Sequence, residues 1–478
     1  MHTKHYLSVY LFCCLFCVSS YAQNLISVEF LDARTKEEVV ADYGFLMQNG
    51  TELWKVTYTT PDVFNQLDTA SGLLVIPVRE ESTTYPLLVY QHGTVDGPQD
   101  VPSNLQGGYE LAEVFAGLGY VALAPDYLGA GEARGFHPYV HRETEASAAV
   151  DMIRAFRDYA PEMDVLINEQ LFVTGYSQGG HASMALHQAL ELELSDEIPV
   201  TAAAHLSGPY SVSGIMRGVI VGDVPYNFPA YAPNIYLSYN YVYGLYTDLE
   251  QVFKPTYVDA IQDFYDGTTG LSSLNNFLVS NLTQEYGEPL ARYMFQDSII
   301  AILEDPDSDH PILEALRDND TYEWAPQQPT RIFYCTADDQ VNFRNSIVAD
   351  SVMQELGAAD LLTSDLNPAA DHGQCVEPAV IQTALFFGSL GEWTVDTEEP
   401  YQNVSMQVYP NPAQDWLQIE GLTADAQVQL FNQQGVLVMN TYLPLGQTQL
   451  RLPELAAGMY WLKAESGGAY GVRKVVIE

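Results

Sequence analysis

Short apolar runs alternate with amphipathic stretches along most of the chain, which predicts strands and helices in turn. Strands are expected at "YPLLVYQHG", "YVALAPDYLG" and "LFVTGY", and helices at "YELAEVFAGLG", "EASAAVDMIRAFRDYA" and "QGGHASMALHQALELEL". An alternation of this kind is typical of a mostly parallel sheet with helices on both faces. We therefore expect an α/β domain over residues 23–393.

A different pattern follows the polar, acidic stretch at residues 394–407, which we interpret as a linker. From Val408 the chain has short runs of alternating apolar and polar residues with turn signals between them, as in "AQVQLFNQQGVLV". Such runs are typical of antiparallel strands. We expect a small all-β sandwich at residues 408–478.

The α/β region contains a long insertion, at about residues 211–329, between the strands "VTAAAHLSG" and "TRIFYC". It holds two amphipathic segments that predict helices, and the tyrosine-rich stretch "NIYLSYNYVYGLY". We expect a helical cap over the α/β domain. Its tyrosines either line an apolar substrate pocket or pack the cap helices together.

The N-terminal segment "MHTKHYLSVYLFCCLFCVSSYAQN" has a basic start, an apolar stretch from Tyr6 to Val18 and small residues up to Ala22. These features predict a secretory signal peptide at residues 1–22, cleaved after Ala22. The apolar stretch is short for a membrane span, and no other run is long and apolar enough. The mature chain is therefore expected to have no transmembrane segment.

The 478-residue chain carries 62 acidic residues against 19 Lys and Arg, a formal net charge of -43. This balance repels phosphate backbones and argues against nucleic-acid binding. Three of the five cysteines fall in the signal segment, which leaves Cys335 and Cys375. Two thiols are too few for a structural zinc site, and outside the cytosol they are expected to pair.

The segment "GYSQG" places Ser177 between Gly175 and Gly179, where a predicted strand turns into a predicted helix. G-x-S-x-G at such a turn is the sequence of a nucleophile elbow, in which the serine is strained and the glycines avoid clashes. The alternative is a serine in an ordinary tight turn. The flanking strand and helix favour Ser177 as a nucleophile.

A serine nucleophile needs a base and an orienting acid, which follow it in the order acid, then histidine, in this type of fold. The strand "TRIFYC" leads into "TADDQV", which offers Asp338 as the acid and Asp339 as its rival. His372, in a loop after the last strand, is the expected base, and Asp371 is expected to cap that loop. The remaining candidates lie on the nucleophile helix, on a buried strand or in loops without a matching acid: His137, His141, His181, His187, His205 and His310.

An oxyanion hole requires two backbone N–H donors. Gln178, directly after the nucleophile, is expected to supply one of them. The loop "QHGTVDG" after the first core strand is expected to supply the other from Thr94, because Gly93 allows close approach of the backbone. His92 is expected to hold this loop through a side-chain hydrogen bond.

The segments "YQHGT", "APDYLGAG", "HPY", "GYSQGG", "CTADDQV" and "DHGQC" together resemble the α/β-hydrolase superfamily, and within it the secretory lipase group of extracellular lipases and esterases. The resemblance covers roughly residues 52–390 and rests on six motifs in the right order. It implies Ser177 as nucleophile, Asp338 as acid and His372 as base. One position departs from many members, because Cys335 stands where a glycine is frequent.

This departure suggests a disulfide between Cys335 and Cys375. Cys335 lies three residues before Asp338 and Cys375 three residues after His372, so a bond would tie the acid loop to the base loop. Two separate buried thiols are the alternative.

The C-terminal region resembles the sorting domain of the type IX secretion system of Bacteroidetes. The resemblance rests on "YPNP", "LFNQQG", "LAAGMYWLK" and the terminal "RKVVIE", in that order. It implies a partnership with the secretion machinery, export, removal of the domain, and either release or attachment to the cell surface. A carbohydrate-binding module is the rival, disfavoured because the sequence offers no planar row of exposed aromatics.

These features together lead us to expect a secreted or surface-attached serine hydrolase that cleaves a small-molecule ester or lipid, with no metal or organic cofactor. A secreted serine peptidase of the same superfamily is one alternative, and a non-catalytic surface binding protein on this fold is another.

Overall fold

The computed structural model describes residues 25–79, 83–395, 406–433, 435–467 and 469–478. The predicted signal peptide, and most of the predicted linker, lie outside these residues.

A large sheet forms the centre of the first domain. Its strands are β1 (Leu25–Arg34), β2 (Gly50–Pro61), β3 (Leu67–Val78), β4 (Thr83–Gln91), β5 (Val121–Pro125), β6 (Leu166–Tyr176), β7 (Ala202–Leu206), β8 (Thr330–Tyr334), β9 (Leu361–Asp365) and β10 (Thr394–Val395). They lie in the order β1-β2-β3-β5-β4-β6-β7-β8-β9, and β10 pairs with β4. Strands β1, β2 and β3 pair antiparallel, as do β3 and β5, whereas neighbours from β5 to β9 are parallel.

Twelve helices are described. They are α1 (Lys36–Tyr43), α2 (Tyr109–Leu118), α3 (Arg142–Tyr159), α4 (Gln178–Glu193), α5 (Arg217–Val221), α6 (Tyr231–Tyr243), α7 (Pro255–Tyr265), α8 (Leu271–Tyr286), α9 (Asp297–Glu304), α10 (Pro311–Asp318), α11 (Arg344–Leu356) and α12 (His372–Gly388). Among these described helices, none combines the length and apolar character that a membrane span requires.

The central strands are apolar throughout because both of their faces are covered. In β4, Leu87 and Val89 pack in the cluster that includes residues of α3 and α4, whereas Leu88 between them packs with residues of α2 and α12. All three side chains are fully buried. This arrangement explains why the strand sequence shows a continuous apolar run rather than an alternation.

The helices α5 to α10 form the cap, inserted between β7 and β8. The cap has its own apolar core, in which Tyr236 and Tyr239 are 5% and 1% exposed. The hydroxyl of Tyr239 donates to the carbonyl of Val140 at 2.9 Å, and that of Tyr246 donates to the carbonyl of Tyr236 at 3.0 Å. These three tyrosines therefore pack the cap, and Tyr239 also ties it to the rest of the domain.

The C-terminal region contains two antiparallel sheets with one apolar core. One sheet contains β11 (Gln407–Tyr409), β12 (Trp416–Glu420) and β15 (Gln449–Arg451), and the other contains β13 (Ala426–Phe431), β14 (Leu437–Leu443), β16 (Gly458–Ser466) and β17 (Ala469–Ile477). The predicted fold class, an α/β domain with a helical cap and a small all-β sandwich, is confirmed.

One local prediction was wrong. The loop that was expected to hold His372 ends earlier, and His372 is the first residue of α12. Asp371 is the N-cap residue, and its side chain accepts from Gln374 N–H while the Gln374 side chain bonds back to the Asp371 N–H. This capping box starts the helix earlier than the apolar periodicity indicates.

Asp320 connects the two ends of the cap insertion. Its carboxylate accepts hydrogen bonds from the Ser213 N–H at 2.9 Å and from the Ser213 hydroxyl at 2.5 Å. Ser213 lies near the start of the insertion and Asp320 near its end. Burial raises the pKa of Asp320 to about 6, although the Ser213 hydrogen bonds oppose this shift. The folded chain therefore holds a proton on Asp320 at a pH where the unfolded chain has lost it.

We expect Asp320→Asn to change the pH dependence of stability. The pKa of Asp320 is higher in the folded chain than its usual value near 4, so the free energy of unfolding falls as the pH rises from about 4 to about 6. The difference between these values corresponds to about 3 kcal/mol. Urea unfolding from pH 4 to pH 7 should show the variant gaining about this much relative to the native chain. Parallel pH curves for the two proteins would contradict the role of Asp320.

Candidate active site

The candidate nucleophile lies at a strained turn between β6 and α4. Ser177 has a φ of 61° and a ψ of -121°, a combination that residues with a side chain rarely adopt. Its N–H donates to the carbonyl of Leu206 on β7 at 3.0 Å, and the whole residue is 8% exposed. The turn therefore presents the serine in a conformation that the neighbouring strand holds in place.

The glycines of the motif are required by close backbone packing. A Cβ on Gly175 would lie 2.2 Å from the carbonyl oxygen of Gly179, and a Cβ on Gly179 would lie 1.9 Å from the carbonyl oxygen of Gln91. Both distances are far below van der Waals contact. The elbow forms only because β6, α4 and the end of β4 approach each other without side chains between them.

Asp338 and His372 lie side by side after β8 and at the start of α12. His372 Nδ1 is 2.7 Å from Asp338 Oδ2, and the two side chains are 7% and 1% exposed. Asp338 Oδ1 accepts from the backbone N–H groups of Gln340 and Val341 at 3.0 and 2.8 Å. With Nδ1–H donated to the carboxylate, the neutral imidazole keeps its lone pair on Nε2.

Asp339 has a different role from its neighbour. Its Oδ1 accepts a hydrogen bond from the backbone N–H of His372 at 3.2 Å, so it binds the first turn of α12 rather than the imidazole. The structure therefore places Asp338, and not Asp339, against the ring of His372.

Tyr176, which the sequence analysis did not single out, joins the elbow to the histidine. Its hydroxyl donates to the carbonyl of His372 at 2.5 Å, and the two rings have centroids 5.0 Å apart. Burial raises the pKa of Tyr176, so the hydroxyl keeps its proton and remains a donor. Among the hydrogen bonds of the described residues, none joins the Ser177 hydroxyl to the imidazole, a contact that in many hydrolases tightens only with substrate bound.

A disulfide adds a covalent connection to this group of contacts. Cys335 and Cys375 are bonded, with their Cα atoms 6.0 Å apart, and both residues are fully buried. Cys335 follows β8 directly, and Cys375 lies in the first turn of α12. The bond therefore joins the segment that carries Asp338 to the helix that carries His372.

The two candidate oxyanion donors lie on two segments next to the serine. Gln178 is the first residue of α4, so its N–H has no acceptor in the preceding turn of helix. Gly93 lies against the elbow, since a Cβ there would be 3.7 Å from Ser177 Cβ. The next residue, Thr94, is held by a 2.8 Å hydrogen bond between its hydroxyl and that of Tyr139.

His92 holds the loop that carries Gly93 and Thr94. Its Nδ1 is 2.8 Å from the carbonyl oxygen of Gly93, and its Nε2 is 3.4 Å from the carbonyl oxygen of Asp126. Burial lowers the pKa of His92, so the ring is neutral at neutral pH. A neutral ring carries one N–H, and the shorter distance assigns it to the Gly93 carbonyl, so that Nε2 lies near the Asp126 carbonyl without donating to it. The side chain therefore holds the loop through Gly93.

Four of the other histidines are held by groups unrelated to Asp338. His205 and His187 contact each other, and they also bond to Ser183 and Glu191, respectively. His141 bonds to Thr144, and the ring nitrogen of His310 accepts from the N–H of Ile312. His137 contacts the side chain of Gln178, and His181 contacts Glu145.

The cap reaches the acid loop through two tyrosines. Tyr231, at the start of α6, donates to Gln340 Oε1 at 2.7 Å, and Tyr226 donates to the carbonyl of Gln340 at 2.8 Å. Burial raises the pKa of Tyr231 to about 12, so this hydroxyl keeps its proton. Gln340 in turn donates its N–H to Asp338. The cap thus contacts the loop that positions the candidate acid.

The comparison with protein families matches residues 407–478 to the secretion system C-terminal sorting domain. The C-terminal region is therefore a sorting domain, in preference to the carbohydrate-binding alternative. A comparison with curated protein sequences finds no match for this chain.

Solved structures similar to this chain include the rice cell wall degrading esterase LipA from Xanthomonas oryzae, with 26% identity over 77% of this chain and 98% of that chain and a TM-score of 0.67. A Legionella pneumophila protein described as a hydrolase has 24% identity over 79% of this chain and 100% of that chain, with a TM-score of 0.67. Candida antarctica lipase A has 15% identity over 73% of this chain and 77% of that chain, with a TM-score of 0.55. The first domain has the α/β-hydrolase fold that these structures share.

We expect Asp338→Asn and Asp339→Asn to differ sharply in ester hydrolysis. Asparagine at 338 offers the imidazole an amide in place of a carboxylate, so kcat should fall by about 1,000-fold or more. Asparagine at 339 still accepts the His372 N–H, so kcat should stay within about threefold. Steady-state kinetics on one ester checks both variants, and the opposite ranking would move the acid role to Asp339.

We expect Cys335→Ser and Cys375→Ser each to lower both stability and turnover. The bond closes a segment with a sequence separation of 40, for which chain entropy predicts about 4 kcal/mol. Since each single variant already lacks the bond, the double variant should be no less stable than the singles. Titration of the denatured, non-reduced protein with a thiol reagent should find neither cysteine free, and two free thiols would contradict the bond.

Proposed function

We propose that this chain, an α/β-hydrolase that carries a C-terminal secretion-sorting domain, is an exported serine hydrolase that cleaves carboxylic esters. The proposal rests above all on one observation: a buried pair, with His372 Nδ1 2.7 Å from Asp338 Oδ2, is joined to the strained turn at Ser177 by the hydrogen bond from Tyr176 to the His372 carbonyl. The resemblance to the Xanthomonas oryzae esterase, which covers nearly all of that chain, supports an ester as the substrate class.

In this proposal Ser177 attacks the ester carbonyl while His372 Nε2 takes the hydroxyl proton. Asp338 holds the ring through Nδ1–H and stabilises the imidazolium that forms. The imidazolium then gives its proton to the departing alcohol, which leaves an acyl-enzyme on Ser177. Water attacks the acyl group, again with His372 as base, and restores the serine.

The charge that develops on the carbonyl oxygen needs donors that are already oriented. Gln178 N–H and Thr94 N–H are the proposed pair, one at the start of α4 and one in the loop fixed by His92. Loss of one such donor typically costs about 3 kcal/mol of barrier. Because both are backbone groups, their strength depends on how firmly these two segments are held.

Export is proposed from the sorting domain at residues 407–478 together with the predicted signal peptide, which lies outside the described residues. The sorting domain would deliver the chain to type IX secretion, followed by release or attachment at the cell surface. The substrate would then be a small-molecule ester or lipid met outside the cell.

A serine peptidase of the same superfamily would use the same three residues. It is the weaker proposal, because the similar structure with 26% identity is that of an esterase. A non-catalytic binding protein would have lost part of the triad, whereas Ser177, Asp338 and His372 are all present.

We expect Ser177→Ala to lower the kcat of ester hydrolysis by at least about 1,000-fold while the domain stays folded. The serine hydroxyl contributes little to packing, so the melting temperature measured by circular dichroism should change by no more than a few degrees. Retention of more than a few per cent of the activity by a folded variant would reject Ser177 as the nucleophile.

We expect p-nitrophenyl esters to be cleaved and p-nitroanilides with the same acyl group to be left largely intact. The two series share the acyl group and the p-nitrophenyl ring and differ in the oxygen or nitrogen of the scissile bond, so their comparison tests which bond type is cleaved. Preference for anilides would support the peptidase, and activity on neither by the folded native protein would support the binding protein. Acyl groups from acetyl to palmitoyl would then give the preferred chain length.

A further inference from the structure

A second buried acid–histidine pair lies next to the nucleophile turn. Glu145, in the first turn of α3, and His181, in the first turn of α4, are 1% and 0% exposed. Glu145 Oε2 is 2.7 Å from His181 Nδ1. The other carboxylate oxygen, Oε1, accepts from Gln178 Nε2 at 2.9 Å. Gln178 directly follows Ser177, and its backbone N–H is one of the two proposed oxyanion donors.

The second hydrogen of the Gln178 side-chain amide is donated to His137. Gln178 Nε2 is 2.9 Å from His137 Nε2, and His137 Nδ1 is 2.8 Å from the carbonyl oxygen of Leu128. A carbonyl only accepts, so His137 carries its proton on Nδ1 and accepts through Nε2. Burial lowers the pKa of His137 to about 4, which keeps this ring neutral.

The proton arrangement of the Glu145–His181 pair follows from the same reasoning. His181 Nε2 is 2.8 Å from the carbonyl oxygen of Asn319, so it carries a proton. One further proton lies between His181 Nδ1 and Glu145 Oε2. Whichever atom holds it, the pair as a whole is neutral, and Glu145 accepts the hydrogen bond from Gln178 without placing net charge near the turn.

Gln178, which is 1% exposed, therefore donates from Nε2 to two acceptors on different segments, Glu145 and His137. We call these two hydrogen bonds the clamp. A buried side chain held at both amide hydrogens restricts rotation of the peptide group to which it is attached. We propose that Glu145, His181 and His137 are positioning residues that hold Gln178 so that its backbone N–H stays aimed at the oxyanion. This inference rests on the proposed ester hydrolysis at Ser177.

The test compares variants that keep or break the clamp. Gln178→Ala keeps the backbone N–H and removes both anchors, and Glu145→Ala removes one anchor and separates His181 from its partner. Glu145→Gln preserves the contacts, because its amide oxygen accepts from Gln178 and its amide nitrogen donates to Nδ1 of a neutral His181. We expect about a tenfold loss of kcat in the alanine variants with KM within about twofold, and at most a threefold loss in Glu145→Gln.

A thiono ester separates a positioning role from a structural one. It places a sulfur, which is larger and a weaker acceptor, where the oxyanion forms, so it gains little from the oxyanion donors. We expect the alanine variants to lose about tenfold in kcat/KM on the oxo ester and less than about twofold on the matched thiono ester. A variant that only loosens the fold lowers both rates by the same factor.

Ser183→Ala provides the matched control on the same helix. Ser183 is fully buried and bonds to the carbonyl of Gly180 and to His205, outside the clamp. We expect this variant to be less stable but to keep the native ratio of oxo-ester to thiono-ester rates.

The outcomes distinguish this inference from the function on which it rests. Equal losses on both esters, or unchanged rates in Gln178→Ala while activity still depends on Ser177, would overturn the clamp. Activity that survives Ser177→Ala would instead reject the proposed function. If Glu145→Ala does not fold, the rates of Gln178→Ala on the two esters test the clamp alone, because this variant leaves the Glu145–His181 pair intact.

Discussion

The close approach of β4, β6 and α4 around Ser177 is the constraint on which the site depends. At this crossing the backbones of Gly175, Gly179 and Gln91 are separated by less than the width of a side chain. The φ of Ser177, 61°, is unfavourable for a residue with a side chain. It is maintained because the surrounding contacts stabilise the turn by more than this local strain costs. Once this turn is fixed, Gln178 begins a helix and Tyr176 ends a strand, and both therefore have defined directions.

From this turn, contacts spread to parts of the chain that are far away in sequence. Tyr176 bonds to the carbonyl of His372, Asp339 bonds to its N–H, and Asp338 bonds to its ring. Three separate contacts thus fix the backbone and the side chain of one histidine, and the disulfide holds the same first turn of α12 at Cys375. A general base must be held to within a fraction of an ångström, and no single hydrogen bond provides this.

The sequence was most informative where a feature is local. The elbow, the strands around it and the order acid then histidine follow from short motifs, and so did the fold class. The start of α12 was missed because a capping box outweighed the weak apolar periodicity of "DHGQC". The hydroxyl of Tyr176 and the network of Glu145 and His181 were missed because they depend on packing between segments that are distant in sequence. In the sequence, Glu145 looks like any acidic residue of an amphipathic helix. Its contact with His181 exists only because α3 packs against α4, and the sequence pattern does not show which helices pack together.

The charge of the chain gives the site a further property. The buried acids Asp338 and Glu145 are paired with His372 and His181, and Asp320 accepts hydrogen bonds from Ser213. The large negative charge of -43 therefore lies mainly on the hydrated surface. A net charge of this size produces a negative potential around the chain as a whole. An ester is neutral, but its hydrolysis yields a carboxylate, which this potential repels. The field therefore disfavours anionic substrates and favours departure of a carboxylate product, whether the bond that is cleaved is an ester or an amide.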